Sequence, residues 1–388
     1  MKHANSFLNE LFRIVNGALR LDVDKVRNYT SFLAEKLEKE GDRISAGRLR
    51  KLLDENDHQL RPAQARFAKA LPVDTDSRFP LVERLNLKTL NEPPLILLQD
   101  QRCIVNEFLS IAKSYAQIDG HDDGINSLSL LVYGPPGTGK SRLARFIASD
   151  LGLELYVARL DGLISSFLGN TSKNIRALFD FAANTPCVLF LDEFDAIAKL
   201  RGDSQELGEL KRVVNSFIQN LDSLGPQSII VAATNHEGLL DSAIWRRFSY
   251  RLALDFPTVE LRQQMWRQFL HPINFSERAI KLLVDLSEGF SGSDIREVCQ
   301  RLYRRQITDQ RSQELKDAFL ILQNLGIGEG QSRRFLSLLN GKDAQTITTA
   351  LRERNGKLYS HAALAELLGV SKATTYRQAQ KGTISNGK

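Results

Sequence analysis

The segment Gly134-Pro135-Pro136-Gly137-Thr138-Gly139-Lys140-Ser141 is the most informative part of this sequence, because it lies between an apolar run and a segment with helical spacing. Its glycines let the backbone wrap around phosphates with the amide N–H groups pointing inward, and Lys140 would neutralise the β- and γ-phosphate charge. Ser141 is a typical Mg²⁺ ligand, and the N-terminus of the following helix adds its dipole. The loop therefore predicts a site for ATP and Mg²⁺.

A second apolar run ends in two acids, Val188-Leu189-Phe190-Leu191-Asp192-Glu193. Adjacent carboxylates after a buried strand are costly to place without a function. We expect Asp192 to bind the nucleotide's Mg²⁺ through water, and Glu193 to orient and activate the attacking water. A third run ends at Asn235, which could hydrogen-bond the γ-phosphate or the water, although asparagine at a strand end is also a common turn former.

Short apolar strands alternate with helical segments through the middle of the chain, and residues 275–308 then become all-helical. This alternation predicts an α/β fold, a P-loop NTPase with a parallel sheet sandwiched by helices. The predicted strands, after the one that precedes the glycine-rich loop, are Leu153–Ala158, Cys187–Leu191, Ser228–Ala233 and Tyr250–Leu254.

The flanking regions are helical in pattern. Residues 1–60 predict a helical bundle with a break at Glu40-Gly41-Asp42, for which stability or oligomerisation is the simpler role and partner docking the alternative. Residues 61–95 are rich in proline and predict an irregular linker. Residues 309–388 predict a mostly helical tail.

Composition limits the class of protein. The 388 residues are 42% hydrophobic and 25% charged, as in globular proteins of two or three folded units, and the three cysteines have no metal-ligand or disulfide spacing. No signal peptide or membrane-spanning run is evident, so we expect a cytoplasmic protein. The net charge is +6, yet residues 296–388 contain 16 Lys and Arg against 8 Asp and Glu. That surplus is compatible with an anionic partner or with a solvated helical surface.

These motifs, in this order, resemble the AAA family of ATPases over residues 96–308, and most closely the clade with katanin, spastin and the membrane AAA proteases. Gly134–Ser141 resembles Walker A, Cys187–Asp195 Walker B, Ala232–Asn235 sensor 1, and Ser291–Ile295 sensor 2, where Ser293 replaces the family's alanine. The resemblance implies a large ATPase domain over residues 96–257 and a helical lid over residues 258–308.

Two further motifs go beyond nucleotide binding. Arg246 and Arg247 resemble arginine fingers, which implies a ring, a hexamer, although a surface pair making salt bridges is the alternative and the division of roles stays open. Phe167-Leu168-Gly169 resembles the pore loop that grips an extended polypeptide; otherwise Phe167 packs under its own loop. Residues 202–209, before a helix over Leu210–Leu221, would form a second pore loop. The chain has no His-Glu-x-x-His motif and hence no zinc peptidase of its own.

Residues 361–380 resemble a helix-turn-helix. Ala365 would allow close helix approach and Gly369 would make the turn, while a small core would form from Leu364, Leu368 and Val370. The second helix, Ser371–Gln380, would face DNA or a protein. The side chains that it would offer are Ser371, Lys372, Thr374, Thr375, Arg377 and Gln378. Thr375 departs from the motif, because an aliphatic residue usually occupies its position.

The layout resembles small bacterial stand-alone AAA proteins that work with a separate effector such as a protease. We therefore expect a ring ATPase that remodels or threads a protein substrate, together with such a partner. The alternative is a DNA-associated ATPase (a loader, transposition regulator or defence sensor) that acts through its tail. An inactive scaffold is disfavoured because Lys140, Asp192, Glu193 and Asn235 are all present.

Overall fold

The computed structural model describes residues 7–19, 23–55, 71–74, 78–87, 94–114, 128–160, 168–196, 207–225, 228–240, 242–326, 328 and 330–385. The chain divides into two compact units. The first consists of Met1–Asn91, Gln99–Gly134 and Lys140–Ala253, and the second of Glu92–Leu98, Pro135–Gly139 and Leu254–Lys388.

The first unit is built on a six-stranded sheet with the order β1-β3-β4-β5-β2-β6. The strands are β1 (Glu83–Leu85), β2 (Leu128–Tyr133), β3 (Glu154–Arg159), β4 (Cys187–Asp192), β5 (Ile229–Thr234) and β6 (Tyr250–Ala253). Strands β2 to β6 pair in parallel, and only β1 is antiparallel, to β3. The predicted α/β class is confirmed, with strand bounds within one residue of those expected.

Parallel strands need crossovers, which helices supply between successive strands. The described helices of this unit are α1 (Leu8–Leu19), α2 (Val23–Lys39), α3 (Arg43–Glu55), α4 (Gln99–Ser114), α5 (Lys140–Leu151), α6 (Leu168–Asn184), α7 (Leu207–Ser223) and α8 (Ser242–Trp245). The central strands are buried on both faces, since every residue of β5 is buried, and so are five of the six in β2 and in β4. Their runs are therefore continuously apolar rather than alternating.

The N-terminal region forms three helices, α1 to α3, around Tyr29, Leu33 and Ala34. The break between α2 and α3 falls at Gly41, whose φ is +95°. Inside the segment expected to be irregular, Glu83–Leu85 form an edge strand of the sheet, and the preceding Leu81 and Val82 belong to its hydrophobic core. Nothing in the proline-rich composition of residues 61–95 pointed to that strand.

The second unit is helical. Its helices are α9 (Val259–Leu270), α10 (Glu277–Leu286), α11 (Gly292–Asp309), α12 (Leu315–Leu325), α13 (Gly330–Leu339), α14 (Ala344–Asn355), α15 (His361–Leu368) and α16 (Lys372–Ser385). One hydrophobic core extends from Trp266 and Phe290 in the predicted lid to Tyr359 and Leu364 in the predicted tail. The Tyr359 hydroxyl donates to Asp285 Oδ2 at 2.6 Å. The helices on both sides of residue 308 thus share one core.

Within the described part of the chain, no helix combines the length and the apolar character that crossing a bilayer requires.

Candidate active site

The glycine-rich loop occupies the context that the sequence predicts, after β2 and before α5. Gly134, Gly137 and Gly139 have φ values of +136°, +78° and +110°. Residues with a Cβ rarely adopt such values, so the backbone path of this loop depends on glycine at these positions. The Thr138 hydroxyl donates to the carbonyl oxygen of Pro135 at 2.9 Å, which closes a turn within the loop.

Lys140, the first residue of α5, is buried, and its ammonium donates to the Gly134 carbonyl oxygen at 2.7 Å. Burial lowers the pKa of Lys140 to about 8, although Asp192 and Asp195 act to raise it. A buried cation whose pKa is lowered by desolvation gains most from a phosphate charge close by. The site is therefore prepared for an anion.

The carboxyl ends of β4 and β5 carry the predicted acids and polar groups. Asp192 Oδ1 accepts the Glu193 N–H at 3.0 Å, and Glu193 has φ +54°, a left-handed conformation that is uncommon for residues other than glycine. Buried Asp195 accepts the Thr234 hydroxyl at 3.3 Å, which links the two strand ends. Exposed Asn235 follows directly. Thr234 was not singled out from sequence, because its role as a cross-strand link depends on sheet order.

The residues predicted to hold Mg²⁺ fit that ion in their chemistry. Ser141 and Asp192 supply oxygen donors, both are partly buried, and they lie at the start of α5 and the end of β4. Mg²⁺ prefers oxygen ligands and keeps several waters.

The paired arginines follow α8, and both are exposed. Arg247 Nε lies 3.1 Å from Asp222 Oδ1 and forms an ion pair within the same chain. The Arg246 guanidinium has no ion-pair or hydrogen-bond partner among the described residues. Their backbone is fixed, because Ser129 Oγ donates to the Arg247 carbonyl oxygen at 3.2 Å.

Within the second unit, the loop residue Gly137 contacts the first turn of α11. The Ser293 N–H donates to the Gly137 carbonyl oxygen at 3.1 Å. A Cβ at Gly137 would lie 2.5 Å from Ser291 Oγ, so a larger residue would collide there. Ser291 caps α11 through a reciprocal pair of bonds with Asp294. The predicted sensor 2 segment thus contacts Gly137 through a backbone hydrogen bond. Such a bond cannot be predicted from the identity of the side chains.

The pore-loop residue Phe167 lies outside the described residues. Leu168 and Gly169 begin helix α6 and belong to its first turn rather than to a loop. In the second predicted pore loop, residues 202–206 also lie outside the described part. Helix α7 begins at Leu207, three residues earlier than the sequence indicated.

The predicted helix-turn-helix segment contains α15 and α16, joined by a short turn in which Gly369 has φ +66°. Leu364 and Leu367 are fully buried, whereas Leu368 and Val370, expected in the core, are only partly buried. The assignment of Thr375 to the binding face was wrong: it is fully buried, and its hydroxyl donates to the carbonyl oxygens of His361 (3.1 Å) and Lys372 (2.8 Å).

On the same helix, Ser371 Oγ accepts the Thr374 N–H at 3.1 Å and caps the N-terminus of α16. The exposed side chains of α16 include Lys372, Tyr376 and Arg377. These three, and not Thr375, face outward.

The family model "ATPase family associated with various cellular activities (AAA)" matches residues 130–256. The uncharacterized AAA family ATPase y4kL of Sinorhizobium fredii is 36% identical over 280 residues, 71% of this chain and 82% of that protein. Fidgetin-like protein 1 of Drosophila melanogaster is 33% identical over 178 residues, 44% of this chain but only 34% of the relative. Among solved structures, the FIGL-1 AAA domain in complex with ADP is 22% identical with a TM-score of 0.49, and the match covers 76% of this chain and 98% of that one.

Proposed function

Because the chain belongs to the AAA family of ATPases and hydrolyses ATP, we propose that it works as a hexameric ring that remodels or threads a protein substrate. A separate effector protein, such as a protease, would act on that substrate. The observation that carries the ring is the difference between the two arginines: Arg247 is paired to Asp222 in its own chain, whereas exposed Arg246 has no partner among the described residues.

The division of roles follows from these contacts. Arg246 would reach the γ-phosphate in the neighbouring subunit and stabilise the charge that develops there, an effect worth about 10³-fold or more in rate. Arg247, held by Asp222, would fix the turn from which Arg246 projects. Arg246 is therefore the arginine finger that acts on the neighbouring subunit's ATP, and Arg247 is a positioning residue.

The chain's other residues would divide the chemistry in the way expected for phosphoryl transfer to water. Lys140 neutralises the β- and γ-phosphates, and Asn235 orients the γ-phosphate or the water. Glu193 accepts a proton as the water attacks. Ser141 and Asp192 would hold Mg²⁺, which supplies further charge neutralisation.

The threading part of the proposal comes from Phe167-Leu168-Gly169. Phe167 directly precedes α6 in the sequence, and Leu168 and Gly169 are its first two residues. An aromatic side chain at the axial channel can pack between substrate side chains with little sequence preference. Phe167→Ala should abolish the stimulation of hydrolysis by an unfolded polypeptide such as casein while leaving the basal rate intact. Full casein stimulation in this variant would rule threading out.

The ring is tested by mixing two inactive variants, Arg246→Ala and Lys140→Met. Each alone should lack hydrolysis, since one lacks the finger and the other the phosphate-binding lysine. In a mixed ring, an Arg246→Ala subunit can receive its finger from a Lys140→Met neighbour, so about a quarter of the sites should be complete. A mixture as inactive as its components, with ring assembly shown by light scattering, would contradict a finger supplied by a neighbouring subunit.

A second candidate function, DNA association, is favoured by the outer face of α16. Lys372 and Arg377 are exposed, and no acidic residue occurs in residues 372–385. Helix α16 packs against both α14 and α15, which gives a three-helix arrangement like that of DNA-binding helix-turn-helix folds.

We expect duplex DNA to bind at low salt and the affinity to fall steeply as salt rises. Lys372→Ala/Arg377→Ala should remove binding, while the control Arg176→Ala, which removes an exposed arginine on α6, should not. Absence of any binding at low salt would eliminate this candidate.

A further inference from the structure

We infer that residues preceding the ATPase module, above all Asp74, position helix α6 and with it the predicted pore loop. This inference rests on the proposed function for its consequence, but its structural basis lies in contacts within the first unit. Helix α6 starts at Leu168, the residue that follows Phe167 in the sequence. Two residues from earlier in the chain hold α6, one at each end.

Near the start of α6, Asn174 Nδ2 donates to Asp74 Oδ2 at 3.0 Å. Both residues are buried, Asn174 completely and Asp74 with 5% exposure. A hydrogen bond from an amide to a buried carboxylate is stronger than one between neutral groups. The first two turns of α6 are therefore tied to a residue that precedes them by 100 positions.

Asp74 is itself attached to the sheet. Its N–H donates to the Phe79 carbonyl oxygen at 2.8 Å, and Val73 forms an antiparallel bridge with Pro80. The residues that follow enter the core and continue into β1, where Arg84 forms a two-point ion pair with Glu154 of β3 at 2.8 Å. Asp74 thus connects α6 to the edge of the sheet.

At the other end of α6, Asn28 Nδ2 on α2 donates to the Asn184 carbonyl oxygen at 2.9 Å. The last carbonyls of a helix have no partner within it, so this bond caps α6 from the N-terminal bundle. Helix α6 is consequently held between the bundle and the Asp74 loop.

The start of α6 also contains two buried polar atoms, Thr171 Oγ1 and Asn174 Oδ1, that have no hydrogen-bond partner among the described residues. Both residues are fully buried, and their spacing of three places them on one face of the helix. Buried polar atoms in proteins are nearly always paired. The bond from Asn174 Nδ2 to Asp74 Oδ2 therefore fixes a helix face that carries these two atoms.

The direct test is hydrogen exchange in the full-length protein. Asp74→Ala should speed exchange about tenfold at the amides of residues 172–175, which donate to the first carbonyls of α6, because one buried bond to a carboxylate is lost. Exchange in β4 and β5 should stay unchanged. The control Asp180→Ala, which removes a mostly exposed carboxylate from the same helix, should have no effect.

The exchanged pair Asp74→Asn/Asn174→Asp keeps one amide and one carboxylate in contact, and should restore wild-type exchange. Asn174→Asp alone places two carboxylates together and should be at least as disruptive as Asp74→Ala. Unchanged exchange at residues 172–175 in Asp74→Ala, or no rescue in the exchanged pair, would overturn the inference.

Casein-stimulated hydrolysis separates this inference from the proposed function. In Asp74→Ala, half-maximal stimulation should require about tenfold more casein, with basal hydrolysis within about twofold of wild type. If casein stimulates the wild-type protein and this requires Phe167, yet Asp74→Ala behaves as wild type, the inference fails and threading stands. If casein has no effect on the wild type, threading fails, and the exchange experiment still decides the role of Asp74.

Discussion

At the scale of the residue, the nucleotide site depends on groups in uncommon states. Burial lowers the pKa of Lys140 to about 8, and Glu193 has a positive φ that few residues with a Cβ adopt. Strain of this kind is found where a side chain must be held in one direction. In the proposed mechanism, that direction would decide which water the Glu193 carboxylate orients.

The lowered pKa of Lys140 predicts how ATP binding depends on pH. Without ligand, Lys140 loses its proton as pH rises through about 8, whereas bound phosphates raise its pKa, so binding above that pH takes up a proton. The affinity for ATP should be highest and constant below pH 8, and above pH 8 it should fall by up to about tenfold per pH unit. Calorimetry in buffers of different ionisation enthalpy would measure this proton uptake. Lys140→Met should bind ATP weakly, and its affinity should not fall above pH 8. A wild-type affinity for ATP that stays constant between pH 7 and 9.5 would contradict the lowered pKa of Lys140.

At the scale of the element, the turn between α15 and α16 shows how a polar residue is accepted at a core position. Thr375 replaces the usual aliphatic residue of a helix-turn-helix, and its hydroxyl donates to two carbonyl oxygens, one in each helix. The bond to His361 joins the helices. The sequence analysis counted Thr375 among the side chains offered to a partner, although its position in the motif is usually aliphatic.

Thr375→Val should therefore lower the free energy of unfolding by about 1 kcal/mol, the usual net contribution of a buried hydrogen bond. Chemical denaturation monitored by tryptophan fluorescence would measure it, since Trp266 lies in the same unit. The affinity for DNA should not change. Loss of DNA binding with unchanged stability would return Thr375 to the binding face.

At the scale of the whole molecule, the second unit contains the predicted lid and tail in one core. Tyr359 is buried, and burial raises the pKa of its hydroxyl. That hydroxyl donates to Asp285. Arg354 binds the same carboxylate through Nε at 2.9 Å. The tail residues thus complete the core of the lid.

Removal of residues 309–388 should consequently unfold or aggregate the lid helices rather than leave a working ATPase. The milder variant Tyr359→Phe keeps the aromatic ring of the side chain and loses one hydrogen bond to a carboxylate. This loss should lower the free energy of unfolding by about 2 kcal/mol. Denaturation of the full chain would measure this loss. A truncated protein that hydrolyses ATP at the wild-type rate would show that the lid is stable alone.

Sequence by itself determined the α/β class, the phosphate-binding loop and the acids at the end of β4, because these depend on local residue order: glycines where φ is positive, and apolar runs where strands are buried. Tertiary structure decided the edge strand β1, the pairing of Arg247 but not Arg246, the burial of Thr375, and the Asp74–Asn174 bond. Each of these joins residues whose proximity depends on how elements pack, and packing distances have no local pattern in the chain. The loop that identifies the nucleotide site was therefore readable from eight residues, whereas the contacts that would regulate its use were not.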